Sequence, residues 1–388
     1  MERLVKIKWA AVAVCFVAAA WSGLEFYAMR HYKEPVTLGP GVTRVQKLSQ
    51  YEPSLEGTVN DCNVYFLESG NPGGTVFLIG GTHPEEPASN LTAQILVENA
   101  RPTTGRLIVV TRANTSGSLY TRNGEAYPSF FEIKTPWGEK RWRFGDRSAS
   151  PLDSWPDPEV YMHFPSRQLL AYMDIRNLNR CWPGRPNGLL VERTTYAMAQ
   201  MIRAESVDVV VDLHEAELEY AVENTIVAHE KAQEIAAMAS MMLTSTQFEV
   251  PIGMEFSPKA LHGLSHREVG DHTQAMSLLY EVAEPMLDRI RGVTDQKLLL
   301  EGKDEFVVEA GKHKLLYAPI DENGWHIDVR VGRHLSTFLQ CLDIFSSMTP
   351  GREIVLDGVP RYAEVKEKGV GAFFHDPSQA PLNGVVYD

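Results

Sequence analysis

The sequence predicts an α/β fold, and three stretches carry that prediction. Val76–Ile79 is an apolar run that breaks at Gly80-Gly81 and passes through Pro87 into a helical pattern reaching Ala100, in the order strand, loop, helix. Val207–His214 (VDVVVDLH) is β-branched, strongly apolar and ends in a polar pair, as a buried strand does. Ser277–Ala283 (SLLYEVA) reads as a third strand, with Glu281 near its end and Pro285 beyond. In open α/β sheets ligands gather outside the carboxyl ends of the strands, so polar side chains at those ends are the candidates for chemistry.

Those ends supply a metal-ligand set. His83 and Glu86 follow the first strand three residues apart, close enough on a tight turn for an imidazole nitrogen and a carboxylate oxygen to meet one cation. An H-x-x-E pair alone is weak, because it arises often by chance. A catalytic zinc takes three protein ligands and keeps a position open for water, and His214 at the end of the second strand completes a His₂Glu set. The Gly-Gly-Thr lead-in adds to the signal.

Composition bounds the remaining possibilities. The chain has 388 residues, 44% of them hydrophobic, enough for a large core. A formal charge of −13 argues against a nucleic-acid-binding surface and against broad adhesion to anionic lipid, while a few pocket arginines can still reverse the local field for an anionic substrate. The leader MERLVKIK is basic, and Trp9–Leu24 is uncharged. Sixteen such residues cover about 24 Å of helix, a little under the ~30 Å hydrocarbon core. Residues 1–30 are therefore expected to be an export signal peptide or, with Trp9, Trp21, Phe26 and Tyr27 as interfacial anchors, an uncleaved membrane anchor. Either places the rest of the chain outside the cytoplasm, periplasmic or secreted if the segment is cleaved. Cys15, Cys62, Cys181 and Cys341 follow no metal or disulfide spacing; at most one bridge can form after export, and free buried thiols serve equally well.

Along the chain, residues 31–61 read as a polar tether, 62–300 as the catalytic domain and 301–388 as a C-terminal extension packed on it. Arg106–Thr111 is another strand, delivering Arg112 and Asn114. From Ser116 to Pro165 periodicity dissolves, as in a lid or functional elaboration. The loop Asp174–Gly184 (DIRNLNRCWPG) offers Asn179 and Arg180, whose guanidinium can fork onto a carboxylate. Thr225–Ala228 reads as a strand, His229–Met242 and Arg333–Met348 as helices. Leu261–His272 holds three histidines, but Gly263 and Gly270 favour a loop forming a wall of the substrate pocket over a second metal site. Glu281 lies in an apolar strand, where an unpaired carboxylate is costly unless it is needed; Glu284 is the alternative.

His83-x-x-Glu86, Asn179-Arg180 with Pro183-Gly184, Asp212-Leu213-His214 and Glu281 occur in an order that resembles the zinc carboxypeptidase-like hydrolases. The resemblance is closer to their succinylglutamate desuccinylase/aspartoacylase branch and covers roughly residues 62–290. It implies a mixed central sheet with helices on both faces. It also implies Zn²⁺ held by His83, Glu86 and His214, a substrate carboxylate or oxyanion held by Asn179 and Arg180, and Glu281 as general base. A further arginine usual in the family is matched by Arg112, Arg167 or Arg176. Where the family commonly has an Asp orienting a zinc-bound imidazole, this chain has Asn177. The implied activity is cleavage of an amide bond in an N-acyl amino acid or related small-molecule or peptide substrate bearing a carboxylate. The rival readings are a metallocarboxypeptidase acting on cell-envelope peptides and an inactive binding protein on the same scaffold.

Overall fold

The computed structural model describes residues 2–120, 128–246, 251–287, 292–380 and 384–388. Its centre is an eight-stranded mixed sheet made of β1 (Val42–Lys47), β2 (Asn63–Glu68), β3 (Thr75–Ile79), β4 (Arg106–Val110), β5 (Val209–Glu217), β6 (Thr225–Ala228), β7 (Gly253–Phe256) and β8 (Met276–Glu284). The spatial order is β7-β6-β8-β5-β3-β4-β2-β1. Strands β8, β5, β3 and β4 run parallel at the middle. Antiparallel pairs lie to either side, β6 on β8, β2 on β4 and β1 on β2. The apolar runs read as strands are the central ones, and they are buried on both faces as parallel strands must be.

Helices cover both faces. Alternate strand residues Val76, Leu78, Val209, Val211 and Leu213 face α2 (Pro87–Asn99), α4 (Gln233–Thr246) and α8 (Ile327–Met348). The intervening Phe77, Ile79, Ile108, Val110 and Val210 face α3 (Leu190–Ala204). Short helices α5 (Ser265–His272), α6 (Gln296–Glu301) and α7 (Glu305–Lys312) fill the connections, and α9 (Tyr362–Lys368) packs on α8. α1 (Glu2–His31) is long and apolar enough to cross a membrane, and apart from Met29 its first 28 residues stand exposed.

Two segments behave differently from the sequence expectation. Val42–Lys47, inside the stretch read as a tether, is the edge strand of the sheet. Only one neighbour covers an edge strand, so VTRVQK is half buried and lacks the apolar signature of the centre. The stretch 301–388, read as an extension packed on the catalytic domain, packs there more deeply than a surface addition. α8 inserts Val331, Leu335, Phe338, Leu342 and Phe345 at three- and four-residue spacing into the core shared with α2 and α4. Pro35–Thr37 also pairs with Val385–Tyr387, which closes the two ends of the domain on each other. Cys62, Cys181 and Cys341 are buried free thiols.

Candidate active site

His83 reaches its place because the chain turns sharply after β3. Gly81 has φ +67°, and a Cβ there would sit 2.4 Å from Asn90 Oδ1; one on Gly80 would sit 2.5 Å from the Ala93 side chain. Glycines alone let this loop lie against α2. Glu86 then occupies the N-cap of α2, where the positive end of the helix favours a carboxylate. His214 and Glu281 stand opposite each other in the parallel register of β5 and β8. All four side chains line a cleft of about 510 Å³ with Asn179, Arg180, Arg147, Glu217, Tyr220, Leu261 and Leu264.

The three expected ligands converge. His83 Nδ1 lies 2.6 Å from Glu86 Oε1, and His214 Nδ1 lies 3.0 Å from Glu86 Oε2. The two imidazoles meet edge to face with centroids 4.7 Å apart, and the ligand atoms of all three residues fall within 4.8 Å of one another. The outer nitrogen of His83 is hydrogen-bonded, while that of His214 lies at ion-pair distance from a carboxylate without an aligned hydrogen bond. His83 Nε2 faces Asn177 Oδ1 at 2.9 Å, an oxygen that also accepts from the Asn179 N–H at 2.9 Å. His214 Nε2 faces Asp212 Oδ2 at 3.1 Å. A neutral His83 with its hydrogen on Nε2, toward Asn177, turns its Nδ1 lone pair on the Glu86 carboxylate. Such lone pairs repel unless a proton or a cation lies between them, so this donor set fits a divalent metal, and the outer contacts are of the kind that orient metal-bound imidazoles.

The electrostatics agree. Burial alone would lower His214, but the Asp212 and Glu86 carboxylates outweigh it and hold its pKa well above the usual range. Burial keeps His83 below its ordinary value despite Glu86. Burial would raise Glu86, yet the two imidazoles depress it strongly. Glu281 is pushed up to about 8, first by burial and then by Glu86 and Glu217, against the pull of His214 and Arg147. Its Oε2 is buried without a hydrogen-bond partner while the residue keeps part of its surface on the cleft.

α5 holds the site together from below. Ser265 donates from its backbone N–H to Asn179 Oδ1 at 2.8 Å and from its hydroxyl to Asp212 Oδ2 at 2.5 Å, while Thr82 donates to Asp212 Oδ1 at 2.7 Å. Gly263, at φ +86°, packs so close to Arg180 that a Cβ would lie 2.3 Å from its carbonyl oxygen. Leu261 and Leu264 line the pocket, but the stretch is not the loop its glycines suggested: Ser265–His272 is helical with Gly270 inside it, packed so closely on His229 that a Cβ there would lie 2.3 Å from the ring. His163, His262 and Glu268 also gather here, but His163 Nε2 lies 2.5 Å from the Trp182 carbonyl and its Nδ1 lies 2.7 Å from Ser166 Oγ. Both nitrogens are engaged, which leaves this cluster a hydrogen-bond network.

Arg112 is the site residue the structure does not bring in. It is buried in a two-pronged pair with Glu34, Nε to Oε2 at 2.7 Å and Nη2 to Oε1 at 2.6 Å, and it is absent from the cleft lining. Arg176 pairs with Asp157, and Arg167 is exposed outside the cleft. The second cleft arginine is Arg147, 3.1 Å from Glu85 and 3.9 Å from Glu86. It comes from the aperiodic stretch read as a lid, and only its arginine side chain could have marked it. Glu284 lies three residues past Glu281 and so on the other face of the sheet, where Arg330 Nη1 meets Glu284 Oε1 and Glu215 Oε1, each at 3.2 Å.

Comparison with known proteins adds one sequence-level match. Residues 166–318 match the family model described as succinylglutamate desuccinylase/aspartoacylase catalytic domain, a span that includes Asn179, Arg180, His214 and Glu281. No curated protein sequence matches the chain. Among solved structures, a succinylglutamate desuccinylase from Silicibacter sp. TM1040 is 18% identical over 57% of this chain and 53% of its own, with a TM-score of 0.34. The chain thus spans about half the length of that protein. A metallo-carboxypeptidase from Burkholderia cenocepacia is 15% identical over 83% of this chain and 68% of its own, with a TM-score of 0.43. The likeness to the succinylglutamate desuccinylase/aspartoacylase catalytic domain is thus confined, at the level of sequence, to residues 166–318.

Proposed function

We propose that this chain is a zinc-dependent hydrolase that cleaves the amide bond of an N-acyl amino acid or a related carboxylate-bearing substrate, with residues 42–388 as one catalytic unit. The observation that carries the reading is the convergence of His83 Nδ1, Glu86 and His214 Nδ1 beside Glu281, whose Oε2 is buried with no hydrogen-bond partner among the described residues. A zinc ion on these three ligands would supply Lewis acidity to the scissile carbonyl and to a water next to it.

The protein's own groups do the rest. Glu281 takes the proton of the attacking water on its carboxylate and returns it to the leaving nitrogen, a task its place on the cleft beside the three ligands suits. Arg180 stabilises charge that develops on the carbonyl oxygen. With Arg147 it supplies the positive charge that an otherwise acidic cleft needs to hold a substrate carboxylate. Asn179 is fixed by Ser265 and Asn177, so its side chain is already in position before substrate arrives.

Placement outside the cytoplasm on α1 belongs to the same proposal, and the apolar, exposed surface of that helix supports it. The test is zinc content together with hydrolysis of a panel of N-acyl amino acids and peptides by the full-length protein. Release of the acyl group from an N-acyl amino acid by a zinc-loaded preparation is the expected result. Cleavage of C-terminal residues from peptides alone would assign a carboxypeptidase instead, and bound zinc with no hydrolysis would leave a binding protein.

A further inference from the structure

We propose that the outer face of residues 151–173 is a second contact with the membrane, resting in the interfacial layer of the bilayer beside the point where α1 joins the domain. This builds on the reading of α1 as a membrane segment. The end of that helix is fixed to the domain. Met29 is buried, and Arg30 pairs with Asp153 through Nη2 to Oδ1 at 2.5 Å and Nη1 to Oδ2 at 3.3 Å. Ser116 donates to the same Asp153 Oδ2 at 2.7 Å, and Tyr32 Oη donates to the Arg141 carbonyl at 3.0 Å. Asp153 is flanked by Leu152 and Trp155, which are 81% and 74% exposed. The exit of the helix and an apolar turn are therefore one residue apart.

The segment continues as a hairpin that is apolar on its outer side as well as its inner one. Tyr161–Met162 pairs antiparallel with Leu169–Leu170, so that Met162 and Leu169 stand opposite each other. Tyr161 and His163 point inward, where Tyr161 Oη donates to the Arg180 carbonyl at 3.2 Å and His163 Nε2 binds the Trp182 carbonyl. Met162, Phe164 and Leu169 point outward and are exposed, as is Val160. A hairpin facing water places its polar residues outside and its apolar residues inside. Here Tyr161 and Leu170 pack on the core, yet the outer side is apolar as well, the arrangement of a surface that meets hydrocarbon. An exposed Trp near a helix end suits the layer between headgroups and acyl chains. The basic residue exposed on the segment is Arg167, against Asp157 and Glu159 on the same stretch. Contact is therefore by apolar insertion, with no requirement for anionic lipid. Through Tyr161 the same segment supports the Arg180 loop, so the bilayer would bear directly on the wall of the cleft.

The test uses the full-length chain in phosphatidylcholine vesicles. Leu152→Cys or Leu169→Cys, each in a Cys15→Ser background, is labelled with an environment-sensitive fluorophore; Met241→Cys on α4, exposed and outside the segment, is the reference. On reconstitution the two segment labels should shift to the blue and be quenched by doxyl-bearing lipid, and the Met241 label should do neither. If the chain floats with the vesicles but the segment labels answer only to aqueous iodide, the proposal is overturned and the anchor reading stands. If the chain does not float, both fall. Blue-shifted labels that ignore doxyl lipid and depend on protein concentration mean that a second copy covers this face, which also overturns the proposal.

Discussion

Replacing Glu281 by Gln isolates the proton-transfer step. The two side chains have nearly the same shape, and Glu281 Oε2 already lies buried without a hydrogen-bond partner, so the exchange removes no protein contact at that atom. The metal ligands keep their own partners, Asn177 and Asp212. What is lost is the ability to take a proton. General acid–base catalysis contributes about a hundredfold at its lower end, or roughly 2.7 kcal/mol of transition-state stabilisation. Glu281→Gln should therefore keep zinc and fold while kcat falls by at least about a hundredfold. Glu284→Gln is the matched control, because Glu284 faces Arg330 on the far side of the sheet. Its kcat should change little. The assay is steady-state hydrolysis of the best substrate of the panel, with zinc content and an unfolding curve measured on each variant. A large loss in Glu284→Gln with Glu281→Gln active would mean that the base is misassigned, and full activity in both would refute the mechanism.

The remaining expectations concern the metal, the arginines and the buried acids. His83→Ala and His214→Ala should each lose most bound zinc, whereas His266→Ala, whose Nδ1 lies 2.8 Å from Ser257 Oγ, should retain it by metal analysis. Zinc binding near pH 7 should release at least one proton, because Asp212 and Glu86 keep the metal-free His214 protonated; calorimetry in buffers of different ionisation enthalpy reads it, and no release would contradict the ligand assignment. Arg180→Lys should cost about 2 to 4 kcal/mol in kcat/KM as the planar fork is lost. Arg112→Met should leave KM alone and instead lower stability by about 3 to 5 kcal/mol, since it strands part of the charge of buried Glu34. Burial raises Glu215 to about 7 against the pull of Arg330, and it raises Glu284 well above the carboxylate range. At these two positions the folded state holds protons that the unfolded chain has lost, so their contribution to stability is greatest below about pH 4.5 and falls as pH rises toward 7, on the order of 3 kcal/mol for Glu215. Urea unfolding across that range should show a smaller fall in Glu284→Gln.

The sequence by itself determined the central strands, because residues buried on both faces leave an unbroken apolar run, and it picked out the candidate metal-binding residues, because they stand at strand ends next to glycines that permit one sharp turn. His83, Glu86, His214, Asn179, Arg180 and Glu281 could all be named that way, and all six line one cleft. The tertiary structure alone decided what depends on partners far along the chain. Arg112 follows β4 just as a site residue would, yet Glu34, far away in sequence, pairs with it and turns it into the core. Arg147 enters the cleft from a stretch with no periodicity, which gives a reader of sequence nothing to place it by. Glu281 and Glu284 differ on paper by three positions in an apolar strand; only the pleat and the guanidinium of Arg330 separate the carboxyl group facing the cleft from the one buried behind it. The edge strand Val42–Lys47 and the helix Ile327–Met348 show the same limit, since a half-covered strand has no strong signature and an amphipathic pattern does not say which sheet it will cover.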